Sequence, residues 1–281
     1  MDFGVTPHDG LPLPPRVTIR EVGPRDGLQN ESAVLPVAVK AEFVERLVDA
    51  GPRSWRRRAW RTRSGYRSSP TPKSSSAITL APGVRYPVLV PNSRGLERAL
   101  DLGVRDIAVF APVVARAREA GIGVRGYLSM CFGDPWEGEV PVPRVLDVAT
   151  RMRALGCTEL SLGDTIGVAT PGRVAAVLDA LIASGIPVDS LAVHFHDTYG
   201  QALANTLTAV RKGVTLVDAS AGGLGGCPFA GSATGNLATE DLLWQLHGLG
   251  VDLPKMVDTS TWLAGHLGRP SPSRTVTALA G

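Results

Sequence analysis

Two histidines, His194 and His196, lie two residues apart in the apolar stretch LAVHFHDTYGQ at residues 191–201. If this stretch is a β-strand, side chains two positions apart point to the same side, so both imidazoles face one space. Imidazole nitrogens are common ligands of divalent metal ions. The spacing predicts a metal site at the end of a strand. The alternative is a pair of unrelated polar residues on a half-buried strand.

Further polar groups follow other apolar stretches. Arg25 and Asp26 come after VTIREV at residues 17–22, and Asp164 ends the stretch ELSLGD. An isolated Arg-Asp-Gly sequence is more often a turn with a solvated charge pair. Several such groups at the carboxyl ends of parallel strands, however, would meet at one rim, which favours a common site.

A glycine-rich stretch, AGGLGGCPFAGSATGNLATED, covers residues 221–241 and contains Cys227 and Asn236. Glycines permit backbone conformations that other residues avoid, so a long loop of this composition is either a mobile lid or a surface of close contact. Cys227 is either a small buried apolar residue or a reactive thiol. From its local sequence alone, Asn236 is typical of a loop or a helix cap.

The elements that would position these groups alternate along the chain. Short buried strands are predicted at residues 17–22, 86–90, 106–110, 124–131, 159–162, 191–196 and 216–219. Amphipathic helices are predicted at residues 37–50, 95–102, 111–120, 142–155, 171–184, 201–212 and 239–247. This alternation predicts an α/β fold with a parallel sheet, and an eighth strand within residues 52–81 would complete a (β/α)8 TIM barrel. An open doubly wound sheet is the alternative, but no GxGxxG follows the first strand.

Length and composition indicate one domain. With 281 residues and 44% hydrophobic content, the chain suits a single barrel at 17–281, after a loose segment at 1–16 and with a C-terminal tail at 252–281. No membrane span or signal peptide is evident, which predicts a cytoplasmic protein without a membrane partner. The three scattered cysteines contain no CxxC pair, which argues against a disulfide framework or a thiolate zinc site.

The basic charge is confined to one segment. Residues 52–76 contain eight basic side chains and no acidic one, and without those eight, 21 basic residues remain against 26 acidic ones. Residues 52–81 show neither the helix nor the strand period and resemble a disordered basic linker. Because the cluster lacks a folded context, it is weak support for nucleic-acid binding, and none is expected.

Four stretches together resemble a known family. VTIREVGPRDGLQNE, SLGDTIGVATPG, HFHDTYGQALANTL and GGLGGCPFAGSATGNLATEDL are similar to the 3-hydroxy-3-methylglutaryl-CoA lyases of the metal-dependent TIM-barrel lyases. Apart from two interruptions, the resemblance covers residues 17–251. The glycine loop with its cysteine is its most specific part, because sibling aldolases and synthases share the Arg-Asp-Gly and His-x-His sequences.

The resemblance implies a reaction and roles for particular residues. A divalent metal, Mg²⁺ or Mn²⁺, would be held by Asp26, His194, His196 and Asn236, a mixture of oxygen and imidazole ligands that suits either ion. Hydroxymethylglutaryl-CoA would be cleaved to acetoacetate and acetyl-CoA. The catalytic residues implied are Arg25 for the enolate, His194 or Asp164 as base, and Cys227 as acid.

The resemblance also implies an acyl-CoA substrate and a homodimer, with a place in leucine degradation and ketone body metabolism. The predicted activity includes that of relatives that cleave longer branched hydroxyacyl-CoA substrates. The alternative is a sibling aldolase or synthase that uses the same Asp and His ligands.

Two interruptions depart from the family pattern. The family's second strand ends in a glutamate near the metal and is followed by Trp-Val-Pro-Gln, and residues 52–76 contain neither. If GC-rich codons are chosen for residues 54–76, reading them two bases later gives a chain close to LEATCVAHPQWVPQLADAEELL, which contains the missing glutamate and the missing motif. We therefore hypothesise that this segment is translated out of frame. A DNA sequence without one- or two-base slips on either side of the segment would disprove the hypothesis. The second interruption, after Phe110, removes a loop at the rim.

These interruptions bear on activity. Replacing an apolar strand by cations removes core contacts and requires buried unpaired charge, which costs several kcal/mol against a total stability of about 5–15 kcal/mol. We therefore expect the chain to be poorly folded or inactive as written. The third hypothesis for its function is that it is the product of a damaged gene, which binds metal without turnover.

Overall fold

The computed structural model describes residues 13–14, 16–29, 31–51, 61–62, 88–90, 93–101, 106–109, 114–226, 235–246 and 251–280. Eight strands are present in these ranges: β1 Thr18–Glu21, β2 Arg61–Thr62, β3 Val88–Val90, β4 Asp106–Val109, β5 Gly123–Leu128, β6 Glu159–Asp164, β7 Leu191–Phe195 and β8 Leu216–Ala219. Nine helices accompany them: α1 Val37–Ala50, α2 Ser93–Asp101, α3 Val114–Glu119, α4 Val142–Leu155, α5 Pro171–Ala183, α6 Ala202–Arg211, α7 Thr239–Gln245, α8 Leu253–Leu267 and α9 Arg274–Leu279.

The strands form one sheet with the order β2-β1-β8-β7-β6-β5-β4-β3. Every pairing is parallel. The two ends of this order, β2 and β3, are the neighbours that a closed eight-stranded barrel would join. This cyclic order, with a helix after most strands, confirms the predicted (β/α)8 barrel rather than the doubly wound alternative.

The predicted eighth strand is β2, whose two residues pair with β1 in the register Arg20↔Arg61 and Glu21↔Thr62. The remainder of the basic segment, at residues 52–60 and 63–87, lies outside the described residues, as do residues 110–113 at the second interruption. Among the N-terminal residues predicted to be loose, only 13, 14 and 16 are described.

Local signals explain several helix boundaries. Helix α1 begins directly after Pro36, and α4 begins after Pro141 and ends at Gly156, which has φ 104°. Proline suits the start of a helix because no N–H is needed there, and glycine tolerates the left-handed conformation that ends one. Between the sheet and these helices lies the apolar core, in which Phe43 and Leu47 of α1 are fully buried.

Residues 252–281, predicted as a tail, contain α8 and α9. Asp252 caps the start of helix α8, and its carboxylate accepts a hydrogen bond from the Lys255 amide at 3.2 Å. The Arg46 guanidinium of α1 lies 4.5 Å from the centre of the Trp262 ring of α8. Ser273 caps the start of helix α9, and its hydroxyl donates to Asp241 at 2.7 Å. Within the described ranges, no helix is both long and apolar enough to cross a membrane.

Candidate metal centre

Three predicted ligands converge at the carboxyl ends of β1 and β7. Each of Asp26, His194 and His196 offers a ligand atom, and these atoms lie within 4.8 Å of one another. His194 Nε2 is 3.9 Å from Asp26 Oδ2, and the two imidazole rings are 5.4 Å apart. The spacing along β7 therefore brings both histidines to one space, as predicted.

Asp26 is presented by a helical turn at Gly23–Gly27 that directly follows β1. The amides of Asp26 and Gly27 both donate to the Val22 carbonyl, at 2.8 and 3.2 Å. A side chain at Gly27 would approach Leu224 Cβ to 2.8 Å, so glycine is required where this turn meets the glycine loop. The Arg25 guanidinium, largely buried, donates to the Asp26 carboxylate, which places a positive charge next to the cluster.

Asn236 reaches the cluster through backbone pairing. It forms an antiparallel bridge with His196, and the Leu237 amide donates to the Phe195 carbonyl at 3.0 Å. Its side-chain Nδ2 donates to the Leu224 carbonyl at 2.9 Å and to Asp26 Oδ2 at 3.3 Å. The fourth predicted ligand therefore lies beside the other three.

The donor set fits a divalent cation. Within the described ranges, Asn236 Oδ1 and His196 Nδ1 are buried without a hydrogen-bond partner, as expected for atoms that await a ligand. Burial, followed by the neighbouring His194, lowers the pKa of His196 to about 4, so this imidazole is neutral at physiological pH, the form that binds metal. A carboxylate, an amide oxygen and imidazoles suit Mg²⁺ or Mn²⁺.

Asp164, the other candidate base, lies at the carboxyl end of β6. It is the last residue of β6 and pairs with Phe195, whereas its neighbour Gly163 pairs with His194. His194 nevertheless acts on the Asp164 carboxyl electrostatically, so the two side chains are near each other. The two oxygens of Asp164 accept hydrogen bonds from the Val168 and Ala169 amides, each at 3.0 Å. Burial raises the pKa of Asp164 to about 6, although these amides oppose the rise.

A charged network inside the barrel was not predicted. Asp218 of β8 accepts a hydrogen bond from Arg125 of β5 at 2.7 Å, and Glu159 of β6 contacts both Arg125, at 2.7 Å, and Arg20, at 3.0 Å. Burial alone would raise the pKa of Asp218, but the Arg125 charge and the hydrogen bond with His194 outweigh it and hold that pKa well below its usual range. The available signal was a charged residue in each of four short strands, namely Arg20, Arg125, Glu159 and Asp218.

Two fully buried glutamates, also not predicted, hold the start of the glycine loop. Glu21 accepts hydrogen bonds from the Ala221 amide at 2.9 Å and the Thr239 hydroxyl at 2.6 Å. Glu240 accepts one from the Gly222 amide at 2.8 Å. Both carboxyls therefore fix the turn that leads towards residues 224–236. Cys227, the predicted acid on this loop, lies outside the described residues.

Comparison with known proteins agrees with the predicted family. The model of the HMGL-like family matches residues 89–264. The mitochondrial hydroxymethylglutaryl-CoA lyase of Rattus norvegicus is 42% identical over 298 residues, which cover 95% of this chain and 90% of the rat protein.

Solved structures agree as well. The crystal structure of hydroxymethylglutaryl-CoA lyase from Pseudomonas aeruginosa has a TM-score of 0.86 and 40% identity, covering 95% of this chain and 98% of that one. An HMG-CoA lyase from Acinetobacter baumannii in complex with coenzyme A and 3-methylmalate has a TM-score of 0.83 and 28% identity, covering 94% of this chain and 95% of that one. A family model that matches most of the chain, and relatives at about 40% identity over nearly its whole length, lead to one conclusion: the chain belongs to the HMGL-like family of carbon–carbon lyases.

Proposed function

We propose that this chain cleaves 3-hydroxy-3-methylglutaryl-CoA to acetoacetate and acetyl-CoA with a bound divalent metal. The observation that carries the proposal is the convergence of Asp26, His194 and His196 within 4.8 Å, at the catalytic rim of a barrel that belongs to this lyase family. In barrels of this type the chemistry takes place where the strands end, and these three side chains lie there.

Asp26, His194, His196 and Asn236 would hold the cation, Mg²⁺ or Mn²⁺. When bound, such an ion polarises a hydroxyl oxygen and makes its proton easier to remove. The buried Asn236 Oδ1 and His196 Nδ1, which have no hydrogen-bond partner in the described part of the chain, support this assignment.

Cleavage begins with loss of the proton from the tertiary hydroxyl of the substrate. The electron pair of that O–H bond forms the new ketone of acetoacetate, and the pair of the broken C–C bond moves to the thioester as an enolate. Of the two candidate bases, the geometry favours His194, because both oxygens of Asp164 accept backbone hydrogen bonds within its own loop. His194 Nε2 has a single lone pair, so as the base it would leave the cation to Asp26, His196 and Asn236.

Arg25 and Cys227 would complete the reaction. The Arg25 guanidinium lies beside Asp26, where it can stabilise the enolate oxygen that develops on the thioester. Cys227 would donate a proton to the enolate carbon to give acetyl-CoA, and closure of its glycine-rich loop would exclude water. Asp164 would fix the loop at residues 165–169 rather than transfer the proton.

The substrate class, an acyl-CoA, is proposed from the family and from the coenzyme A bound to the Acinetobacter relative. The homodimer, the cytoplasmic location and the roles in leucine degradation and ketone body metabolism stay predictions.

The direct test uses the purified full-length chain, stripped of metal with a chelator and then supplied with Mg²⁺ or Mn²⁺. We expect equal amounts of acetoacetate and acetyl-CoA from hydroxymethylglutaryl-CoA only after metal is added. The matched control is Asp179→Asn, which alters an exposed Asp179–Lys212 ion pair on the outer helices and should keep the activity of the unaltered chain.

The two competing readings give different results in the same assay. A sibling aldolase or synthase would require a keto-acid co-substrate, so acetyl-CoA release without one excludes it. The product of a damaged gene would bind Mn²⁺ in calorimetry yet release no product, and that outcome would contradict the proposed activity while leaving the metal site intact.

A further inference from the structure

Asp218 of β8 lies next to His194 of the neighbouring strand β7. The pairing of β7 with β8 places the two residues opposite each other, so their side chains share the inner face. Asp218 Oδ2 is 3.3 Å from His194 Nδ1, while the other ring nitrogen, Nε2, is 3.9 Å from Asp26 Oδ2. The imidazole therefore has one nitrogen towards β8 and one towards the candidate metal centre.

We propose that Asp218 is a positioning residue for the metal centre: its carboxylate keeps the proton of His194 on Nδ1, so that Nε2 presents a lone pair to the cluster. This inference rests on the proposed metal site. An ionised carboxylate only accepts hydrogen bonds, so the nitrogen facing it must carry a proton. In a neutral imidazole the other nitrogen is then unprotonated, which is the form that binds a metal or accepts a proton.

The surroundings of Asp218 keep its carboxylate ionised and in place. Arg125 donates to Oδ1 at 2.7 Å, and the Tyr127 hydroxyl donates to Oδ2 at 3.1 Å. Asp218 is 1% exposed and Arg125 is 3% exposed, so water does not compete for these bonds. The Tyr127 ring also meets the His194 ring edge to face at 6.2 Å, which restricts rotation of the imidazole. The orientation of His194 is thus fixed from β5 and β8 together.

The main alternative is that Asp218 serves only as the counter-ion of the buried Arg125. Glu159 provides the comparison, because it accepts a hydrogen bond from the same guanidinium at 2.7 Å and also pairs with Arg20. It lies at the start of β6, whereas His194 pairs with Gly163 near the end of that strand. A purely structural role predicts similar effects of Asp218→Asn and Glu159→Gln. A positioning role predicts that only Asp218→Asn alters the metal centre.

The first measurement needs no variant of Asp218. In the metal-free full chain at pH 8, ¹⁵N NMR of the histidine side chains reports which nitrogen carries the proton, and the His194 signals are assigned by their loss in His194→Gln. We expect the proton on Nδ1. A proton on Nε2 would overturn the proposal, and this readout stands whether or not the chain is active.

The second measurement compares Mn²⁺ affinity by calorimetry in the unaltered chain, Asp218→Asn and Glu159→Gln. In Asp218→Asn, Arg125 would take the amide oxygen and leave the NH₂ group facing Nδ1, which drives the proton to Nε2. We expect a dissociation constant about 10–100-fold weaker in Asp218→Asn and within about threefold of the unaltered value in Glu159→Gln.

The outcomes separate this inference from the proposed function. A lack of Mn²⁺ binding by the unaltered chain contradicts the proposed metal site, and the proton position on His194 still decides the positioning role. Unchanged affinity in a folded Asp218→Asn, or an equal loss in both variants, would contradict the inference alone. If Asp218→Asn fails to fold, as judged by thermal melting, the NMR result on the unaltered chain decides.

Discussion

The buried Glu240 should make the stability of this protein fall as the pH rises. Its carboxyl group is fully buried at the start of α7, where it accepts hydrogen bonds from the Gly222 amide and the Ser260 hydroxyl. Burial raises the pKa of Glu240 from 4.5 to about 8, and the nearby Glu21 charge adds to the rise. The folded state therefore holds a proton that the unfolded chain releases over most of the neutral range.

This difference in proton binding determines how the free energy of unfolding changes with pH. The contribution to the free energy of unfolding is complete below pH 4.5 and is lost as the pH rises through about 8, because the folded state binds the proton more tightly. Each pH unit in this window changes the free energy of unfolding by about 1.4 kcal/mol, so three units give roughly 4 kcal/mol. Glu240→Gln carries a neutral side chain that can accept from the Gly222 amide and donate to Ser260, as a protonated carboxyl would.

Urea denaturation at pH 5.5, 6.5, 7.5 and 8.5 tests this reasoning. We expect the free energy of unfolding of Glu240→Gln to rise relative to that of the unaltered chain by about 1.4 kcal/mol per pH unit. Above about pH 8 the plots of this free energy against pH should run parallel for the two proteins. The exposed Glu119→Gln is the control and should keep the pH dependence of the unaltered chain. Glu21, whose pKa burial raises to about 7, is present in all three proteins, so the effect of its own burial cancels and only its coupling to Glu240 remains in the difference. If the free energies of unfolding of Glu240→Gln and the unaltered chain differ by a constant amount across this pH range, Glu240 does not carry a buried proton.

Three further substitutions test the site. Asp26→Asn removes the anionic ligand and should weaken Mn²⁺ binding at least about tenfold in calorimetry, whereas unchanged affinity would exclude Asp26 as a ligand. Asp164→Asn should lower the free energy of unfolding by about 1–3 kcal/mol through its loop amides yet leave the Mn²⁺ dissociation constant within about twofold; a large loss of affinity would return Asp164 to the centre. Gly235→Ala would force a methyl group into the Gly223 carbonyl and should lower both the stability of the fold and the affinity for Mn²⁺. As the control, Gly265→Ala on helix α8, where no atom obstructs a methyl group, should raise the free energy of unfolding by about 0.5–1 kcal/mol. Equal melting temperatures of the two variants would contradict this packing.

Local signals were sufficient for much of the fold. Helices α1 and α4 and strand β8 have the predicted bounds, since prolines and glycines mark the helix ends and apolar runs mark the strand. The two histidines were also accessible to prediction, because the period of two along a strand is a local property. The barrel followed from the alternation of these elements, with β2 in its expected place beside β1.

Long-range strand pairing decides those parts of the site that no local pattern marks. Strand β6 extends two residues beyond the predicted 159–162 and ends at Asp164, the residue expected at the end of this stretch. Asp218 contacts His194 through the register of β7 with β8, and Arg125 reaches it from β5, which lies 93 residues away in sequence. No local pattern specifies such a register, so the sequence could not reveal that these charges form one network.

Three candidate ligands lie at the carboxyl ends of β1 and β7, and the basic segment contributes β2, the neighbour of β1. The strands that carry or orient the candidate ligands are β1, β8, β7, β6 and β5, which are consecutive neighbours, whereas β2 and β3 lie at the two ends of the order. Asn236 is held by backbone pairing of its segment with Phe195 and His196 at the end of β7 and with Ser220 after β8. Because the sequence between β2 and β3 departs from the family, we expect it to affect barrel closure and turnover more than cation binding. Mn²⁺ calorimetry beside a turnover assay separates these effects: binding with impaired turnover supports this division, whereas loss of both would show that the centre depends on the closing strands.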